Sequence, residues 1–245
     1  MKPFVYRVSI SLEQVYRMQL FYSTHIVEGH LYFDDEESRH ILKSLRMKVG
    51  DQLSVVDGKG QIFQGRLASL KPLAARILSS EFIESQSPVL HIAIAPTKNL
   101  SRWDWFLEKS TELGVSRITP LQCFRSERAR IKSDRANRII KSAMKQSGRA
   151  YLPHLDPMTS FQTVVAMASA DSVKLIAHCQ DRAPLVEKNV FKHPFSTVLI
   201  GPEGDFTTEE IEAAENAGFK AISLGNYRLR TETAGVYICA LSNSM

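Results

Sequence analysis

The most constraining stretch of this chain lies between residues 197 and 234 and reads TVLIGPEGDFTTEEIEAAENAGFKAISLGNYRLRTETA. An apolar run, Val198, Leu199 and Ile200, breaks at Gly201 and Pro202, and a second run, from Ala221 to Leu224, breaks at Gly225. Two strands that each leave through a glycine therefore bracket one helix. Glycine at a strand exit lets backbone N–H and C=O groups come close to a ligand that a side chain would hold away. In open α/β sheets, ligands sit outside the carboxyl ends of the strands. The two exits are thus read as one candidate binding site rather than as ordinary turns.

The rest of the chain divides by pattern. From Leu31 to Glu84 the apolar segments are short and broken by turn signals, Val49-Gly50-Asp51, Asp57-Gly58-Lys59-Gly60 and Lys71-Pro72. Between these turns LSVVD, IFQGRLASL and AARILSSEFI read as strands of a small β-barrel. One helix is predicted within it, over Glu36 to Arg46, because Ile41, Leu42 and Leu45 fall at helical spacing behind Asp34 and Asp35, which are good N-cap types. The boundary is placed at Ser85 to Pro88, polar and proline-ended. Residues 1–17 have no partner in the pattern and are read as an extension. This gives 1–17, 18–86 and 87–245 as the divisions of the chain.

After residue 89, strands and helices alternate, the pattern of an α/β domain with a mostly parallel sheet. VLHIAIAP is a nearly continuous apolar run, as expected of a strand buried on both faces. A helix is predicted from a capping-box pattern at Ser101 to Asp104, with its end at Gly114. Strand RITPLQCF, a basic helix, strand VKLIAHC (173–179), strand STVLIGP, a helix capped by Thr207 and Glu210, strand AISLG and a last helix from Val236 to Leu241 follow.

Charge is concentrated rather than spread. The chain of 245 residues carries +5. Residues 124–149 hold nine Lys/Arg against two acids, a local excess of +7, so the remainder sums to −2. A patch of this kind is a nucleic-acid footprint rather than a solubilising surface. Three dispersed cysteines without a CxxC pair point to a reduced, cytosolic chain. No histidine pair sits at metal-ligand spacing beside a cysteine cluster, so no metal is expected. No run of about 20 apolar residues appears.

Several chemistries are excluded by residue type. IGPEGDF lacks the Gly-Lys-Ser/Thr ending of a phosphate loop, the chain has no GxGxxG, and no GxSxG supplies a hydrolase elbow. What remains is a pocket rimmed by backbone groups with Glu203, Arg230 and Glu232 near its edges. It suits a small molecule with a neutral hydrogen-bonding face and a cationic centre.

LIGPEGDF, SLGNYRLRTETA, EKSTELG (108–114) and QSGRAYLP (146–153) together resemble the RsmE family, the 16S ribosomal RNA uridine N3-methyltransferases of the SPOUT superfamily, and HILKSLRMKVGD (40–51) resembles that family's PUA-like RNA-binding domain. The resemblance implies a C-terminal α/β domain with a trefoil knot behind a PUA-like barrel, S-adenosylmethionine as cofactor, a homodimer, and small-subunit ribosomal RNA as partner. Carried over position by position, cofactor contacts fall on Gly201, Pro202, Glu203 and Gly204, on Leu224 and Gly225, and on Leu229, Arg230, Thr231 and Ala234. Ala177 and His178, at the end of strand 173–179, join them, with a core histidine as the alternative for His178. Arg230 is expected to stabilise the developing uracil anion, and Glu232 to orient it or accept the N3 proton. RNA contacts are expected at His40 and Arg46, at Lys98, and at Arg125, Arg128, Arg130, Lys132 and Arg149. A knotted methyltransferase acting on another RNA, such as transfer RNA, and a non-catalytic RNA-binding protein of this fold are the competing readings. Asp205 stands where glycine is frequent in the family, and Gly235 sits inside the predicted last helix.

If these cations bind phosphates, RNA affinity measured by filter binding should fall roughly 10-fold or more between about 50 and 200 mM salt. An affinity unchanged over that range would remove the electrostatic reading.

Overall fold

A computed structural model of the protein describes residues 19–85, 89–179 and 183–243. The expected extension at 1–17, and residues 86–88 of the expected boundary, lie outside the described residues. The described residues form two compact units.

One unit comprises residues 19–85 and 141–152. Its elements are β1 (Leu20–Tyr22), β2 (His25–Val27), β3 (His30–Tyr32), α1 (Asp35–Arg39) with a π-helical turn (His40–Ser44), β4 (Gln52–Val56), β5 (Gln61–Leu70) and β6 (Leu73–Phe82). The strand order is β1-β4-β5-β6-β3-β2. All pairs are antiparallel except β1 with β4. The two ends of that order, β1 and β2, are separated by only Ser23 and Thr24 in the chain, so the sheet must curl until its ends meet. This is the PUA-like barrel. Phe21, Leu31, Ile41, Leu53, Val55, Leu67 and Ala75 fill it.

The predicted helix over 36–46 is shorter than its periodicity. Asp34 caps it, accepting from Glu37 N at 2.8 Å. The α-helical turn then widens to a π turn and ends before Arg46, whose φ of +54° is left-handed. The β2–β3 hairpin was not legible in the sequence. Its two-residue turn, Glu28-Gly29, has φ +47° and +75°, the left-handed pair of a type I′ turn, in a position usually marked by Asn-Gly.

Residues 141–152 complete this unit. Met144 and Ala150 pack with Leu20, Val56 and Ile62. Lys145 Nζ lies 2.6 Å from Oε2 of the buried Glu37, and Tyr151 donates to Ile83 O at 2.8 Å. A buried carboxylate needs such a partner, so Lys145 is structural rather than a free surface cation.

The other unit contains β7 (Val89–Ile94), α2 (Leu100–Glu112), β8 (Arg117–Gln122), the start of α3 (Ser133–Gln146), β9 (His154–Leu155), β10 (Thr159–Ser160), α4 (Phe161–Met167), β11 (Val173–Ala177), a 3₁₀ turn (Lys188–Lys192), β12 (Phe195–Ile200), α5 (Thr208–Asn216), β13 (Lys220–Ile222) and α6 (Thr231–Asn243). The strand order is β10-β8-β7-β12-β11-β13, with β9 also on β8, and every pair is parallel. β12 is inserted between β7 and β11, and α6 returns to pack on α2, β7 and β12. That strand order, with the last helix on α2, β7 and β12, is the mostly parallel α/β sheet that the resemblance implied for the C-terminal domain.

Local capping differs from expectation in one place. α2 begins at Asn99, whose side chain accepts from Ser101 N at 2.8 Å, so Ser101 is not the cap. Asp104, expected to close the capping box, instead binds Arg135 at 2.6 Å. Gly114 and Gly218 end their helices with φ of +93° and +87°. α6 starts at Thr231, five residues before the apolar run that marked it, because Thr231 and Glu232 are buried in its first turn.

Gly235 has an intrachain reason. A Cβ there would stand 2.5 Å from Phe106 Cε2 and 3.0 Å from Ile94 Cδ1. The glycine lets α6 lie directly on α2 and β7. Gly235→Ala should gain about 1 kcal/mol of helix propensity yet lose roughly 1–3 kcal/mol to overpacking. A Tm at or above wild type would refute this account of Gly235.

A polar network crosses β7, β8 and the segment after β9. His91 Nε2 lies 2.7 Å from Thr119 Oγ1, Thr119 donates to Asp156, and Arg117 Nε donates to Asp156 at 2.7 Å. Burial, with the Arg117 charge, pushes His91 down to about 4. A histidine held neutral in the fold but protonated when unfolded costs stability below its unfolded pKa. The loss therefore begins near pH 6.5 and is complete below the folded value, roughly 3 kcal/mol in all. Burial alone would raise Asp156, but the hydrogen bonds from Arg117 and Thr119 win and hold it low, so its contribution is lost only at more acid pH. Thermal unfolding of His91→Gln between pH 7 and pH 4.5 should show a shallower decline of Tm than wild type.

Candidate active site

The carboxyl ends of β11 and β12, the loop after β13 and the start of α6 enclose a cavity of about 680 Å³. Of the residues expected to hold a cofactor, Gly201, Pro202 and Glu203 line it from the β12 exit, and Leu224 and Gly225 from the β13 exit. Leu229, Arg230, Thr231 and Ala234 line it from the entry to α6, and Ala177 and His178 from the end of β11. Gly204 lies outside this lining. Its carbonyl accepts from Arg125 Nη1 at 2.8 Å, and Arg125 Cδ is 3.3 Å from where a Cβ would stand.

Each loop has a physical restraint. Gly201 has no room for a side chain, since a Cβ would meet the Phe206 ring at 3.1 Å and the Phe206 amide at 3.3 Å. The buried Thr231 hydroxyl donates to Gly201 O at 3.1 Å, joining the β12 exit to the first turn of α6. Gly225 takes φ +137°, which an L side chain rarely adopts. Glu203 accepts from Lys98 N at 3.0 Å, and Arg128 donates to Thr97 O at 3.2 Å and Lys98 O at 2.6 Å. Lys98 Nζ meets Glu127 at 2.7 Å, both largely exposed.

Asp205 takes φ +63°, a left-handed conformation that suits glycine and that aspartate tolerates. It does not cap α5; Thr207 does, with a complete capping box to Glu210. The Asp205 carboxylate instead accepts from Cys179 N at 2.9 Å and Phe206 N at 2.8 Å, stitching the β11 exit to the β12 exit. The side chain thus does work that a glycine there could not. Burial, then Asp205, raises the Cys179 thiol, which keeps it protonated at neutral pH.

The two expected catalytic residues are not equivalent. Arg230 is exposed on the cavity wall, and among the described residues its guanidinium makes no hydrogen bond or ion pair. Glu232 is buried and faces Arg102 instead, with Oε1 3.6 Å from its Nε. Glu232 is not among the lining residues. Its Oε2 is buried without a hydrogen-bond partner.

The expected RNA cations fall in both units. Lys98, Arg125, Arg128, Arg130 and Lys132 belong to the unit with the cavity, and all but the half-buried Arg128 are exposed. His40, Arg46 and Arg149 belong to the barrel unit, with Arg46 exposed and the other two half-buried. His40 Nε2 lies 3.0 Å from Gln19 Nε2. The basic window is therefore mixed in purpose, since Arg135, Lys141 and Lys145 are paired with Asp104, Asp34 and Glu37. Sequence reasoning missed Cys179, Asp205, Ser223, Asn226, Tyr227 and Arg228 in the lining. Adjacency to Gly225 and Arg230 was the available signal for the last three.

A parallel sheet with an inserted strand and a cavity built of strand-exit backbone, joined to a curled antiparallel sheet, defines an RNA methyltransferase of two domains. The RNA methyltransferase domain family matches residues 84–243, and the RNA methyltransferase PUA domain family matches residues 33–78. Ribosomal RNA small subunit methyltransferase E of Buchnera aphidicola is 31% identical over 220 residues, covering 85% of each chain. A probable rRNA-methyltransferase from Porphyromonas gingivalis is 39% identical with a TM-score of 0.82, covering 91% of this chain and 95% of its own. A ribosomal RNA small subunit methyltransferase E from Neisseria gonorrhoeae, bound to S-adenosyl methionine, is 30% identical with a TM-score of 0.81, covering 91% and 96%. The chain belongs to the ribosomal RNA small subunit methyltransferase E family.

Proposed function

We propose that this enzyme transfers a methyl group from S-adenosylmethionine to N3 of a uridine in small-subunit ribosomal RNA, working as a homodimer in the cytoplasm on RNA within the small subunit. The observation that carries the reading is the cavity itself. It is lined by the residues of two strand exits and the entry to α6, and carries both acids, Glu203 and Asp205, and cations, Arg228 and Arg230. That mixture fits a ligand bearing a neutral base, a cationic sulfonium and an amino-acid end. Residues 201–203, 224–225 and 229–231 with Ala234 would hold it, and when bound it supplies an electrophilic methyl group.

The rest of the chemistry falls to the protein. Uracil N3 carries a proton and is a poor nucleophile until that proton passes to solvent water, so a cation near the base oxygens lowers the cost of the anion. The exposure of Arg230 on the cavity lining, with no guanidinium hydrogen bond or ion pair among the described residues, supports this role. Glu232 acts as a positioning residue in the first turn of α6, beside Arg102 and two residues from Arg230. Alignment supplies the remainder, since displacement at a methyl carbon needs the attacking atom in line. His40, Arg46, Lys98, Arg125, Arg128, Arg130, Lys132 and Arg149 hold the RNA by its phosphates.

Reverse transcription across small-subunit RNA from cells with and without the protein tests the reading, because N3 methylation blocks the pairing edge and stops the polymerase. Identical profiles would refute it. At saturating S-adenosylmethionine, Arg230→Ala should lose roughly 100-fold or more in kcat; a wild-type kcat would remove Arg230 from the chemistry.

A further inference from the structure

Among the large apolar side chains of the described residues, Phe124 and Tyr227 are the most exposed, at 85% and 86%. Single exposed apolar residues are ordinary. These two share a construction that is not. Each directly precedes an arginine, and the two arginines clamp neighbouring carbonyls of one loop: Arg125 Nη1 donates to Gly204 O at 2.8 Å, and Arg228 Nη2 donates to Glu203 O at 3.0 Å. The residue that follows each ring is therefore tied to the loop after β12.

The backbone under Phe124 is anchored further. Its amide donates to Oε1 of the buried Glu210 at 2.8 Å, and Ser126 Oγ accepts from Cys123 N at 2.9 Å. A turn held by a buried carboxylate while its ring stays in water orders an aromatic surface before any ligand arrives. Tyr227 lines the cavity, as Arg230 does, and Phe124 stands outside the lining. The cations and the aromatics thus divide the task, charge being suited to phosphates and flat faces to bases.

We propose that Phe124 and Tyr227 are stacking platforms for unpaired nucleobases of the RNA, Tyr227 for the acceptor uracil at the cavity mouth and Phe124 for a flanking base. The inference rests on the proposed RNA substrate. Every base has a π face, and a base that must present its N3 edge has to leave its own helix, so an aromatic surface replaces the stacking it loses. Such a contact is independent of charge, which separates it from the cationic patch.

The test uses the full chain and small subunits purified from cells lacking this protein. Methyl transfer, S-adenosylmethionine affinity by calorimetry and oligomeric state by sedimentation are measured for wild type, Phe124→Ala, Tyr227→Ala and the aromatic replacements Phe124→Trp and Tyr227→Phe. Each alanine variant should lose about 5- to 150-fold in kcat/KM, the range that stacking of one base supplies. The slope of activity against salt, the cofactor affinity and the oligomeric state should be unchanged, and the aromatic replacements should restore the rate. Alanine variants within twofold of an active wild type would overturn the proposal and leave the proposed substrate standing. Loss of cofactor affinity, or a changed oligomeric state, would also overturn it, by assigning the rings to the cofactor or to another copy of the chain. A wild-type protein that transfers no methyl to these subunits would instead sink the substrate reading, and the stacking proposal with it.

Discussion

One buried hydrogen bond, from the Thr231 hydroxyl to Gly201 O, holds together what the rest of this molecule is built to present. It spans 30 residues of sequence and joins the exit of β12 to the first turn of α6. On its other side Gly201 lies against Phe206, where a Cβ would stand 3.1 Å from the ring. The second clamp is of the same kind, since Asp205 binds the Cys179 amide across the β11 exit. Moving the β12 exit away from α6 breaks the buried bond between Thr231 and Gly201, at a cost of roughly 1–3 kcal/mol.

The same economy governs the charges. Nine cations in one window suggest a single binding surface, yet three of them serve the fold. Lys145 compensates the buried Glu37, Lys141 meets Asp34, and Arg135 meets Asp104. Arg125 and Arg128 spend donors on carbonyls of the loops around the cavity. An arginine in such a place organises the wall while leaving further N–H groups for an incoming phosphate, which a lysine's compact charge does less well. Arg130, Lys132 and Arg138 remain exposed with no ion pair among the described residues.

Much of the architecture was legible in order and type. The long strands, α5 with its Thr207–Glu210 box, and the glycine stops at Gly114 and Gly218 all follow from periodicity and capping chemistry. What periodicity could not reach were short elements whose register is set by neighbours: the three-residue strands β2 and β3, the fragments β9 and β10, and α4. The cap of α2 shifted to Asn99 because two acceptable caps lie two residues apart, and tertiary pairing claimed Asp104 for Arg135.

For this protein, the sequence alone determined the presence of a small β sheet and a parallel α/β sheet, the family, and the segments from which the cavity is made, because each is written in local patterns of apolar spacing, glycine and charge. The packing of residues 141–152 with the barrel was decided by tertiary contacts. Only the tertiary structure decided which residues of those segments face one another. It set Glu232 against Arg102, put Arg230 on the open wall, used Gly235 to admit Phe106, and left Phe124 and Tyr227 unburied above clamped carbonyls. Such choices depend on contacts between residues far apart in the chain, and no local pattern encodes them.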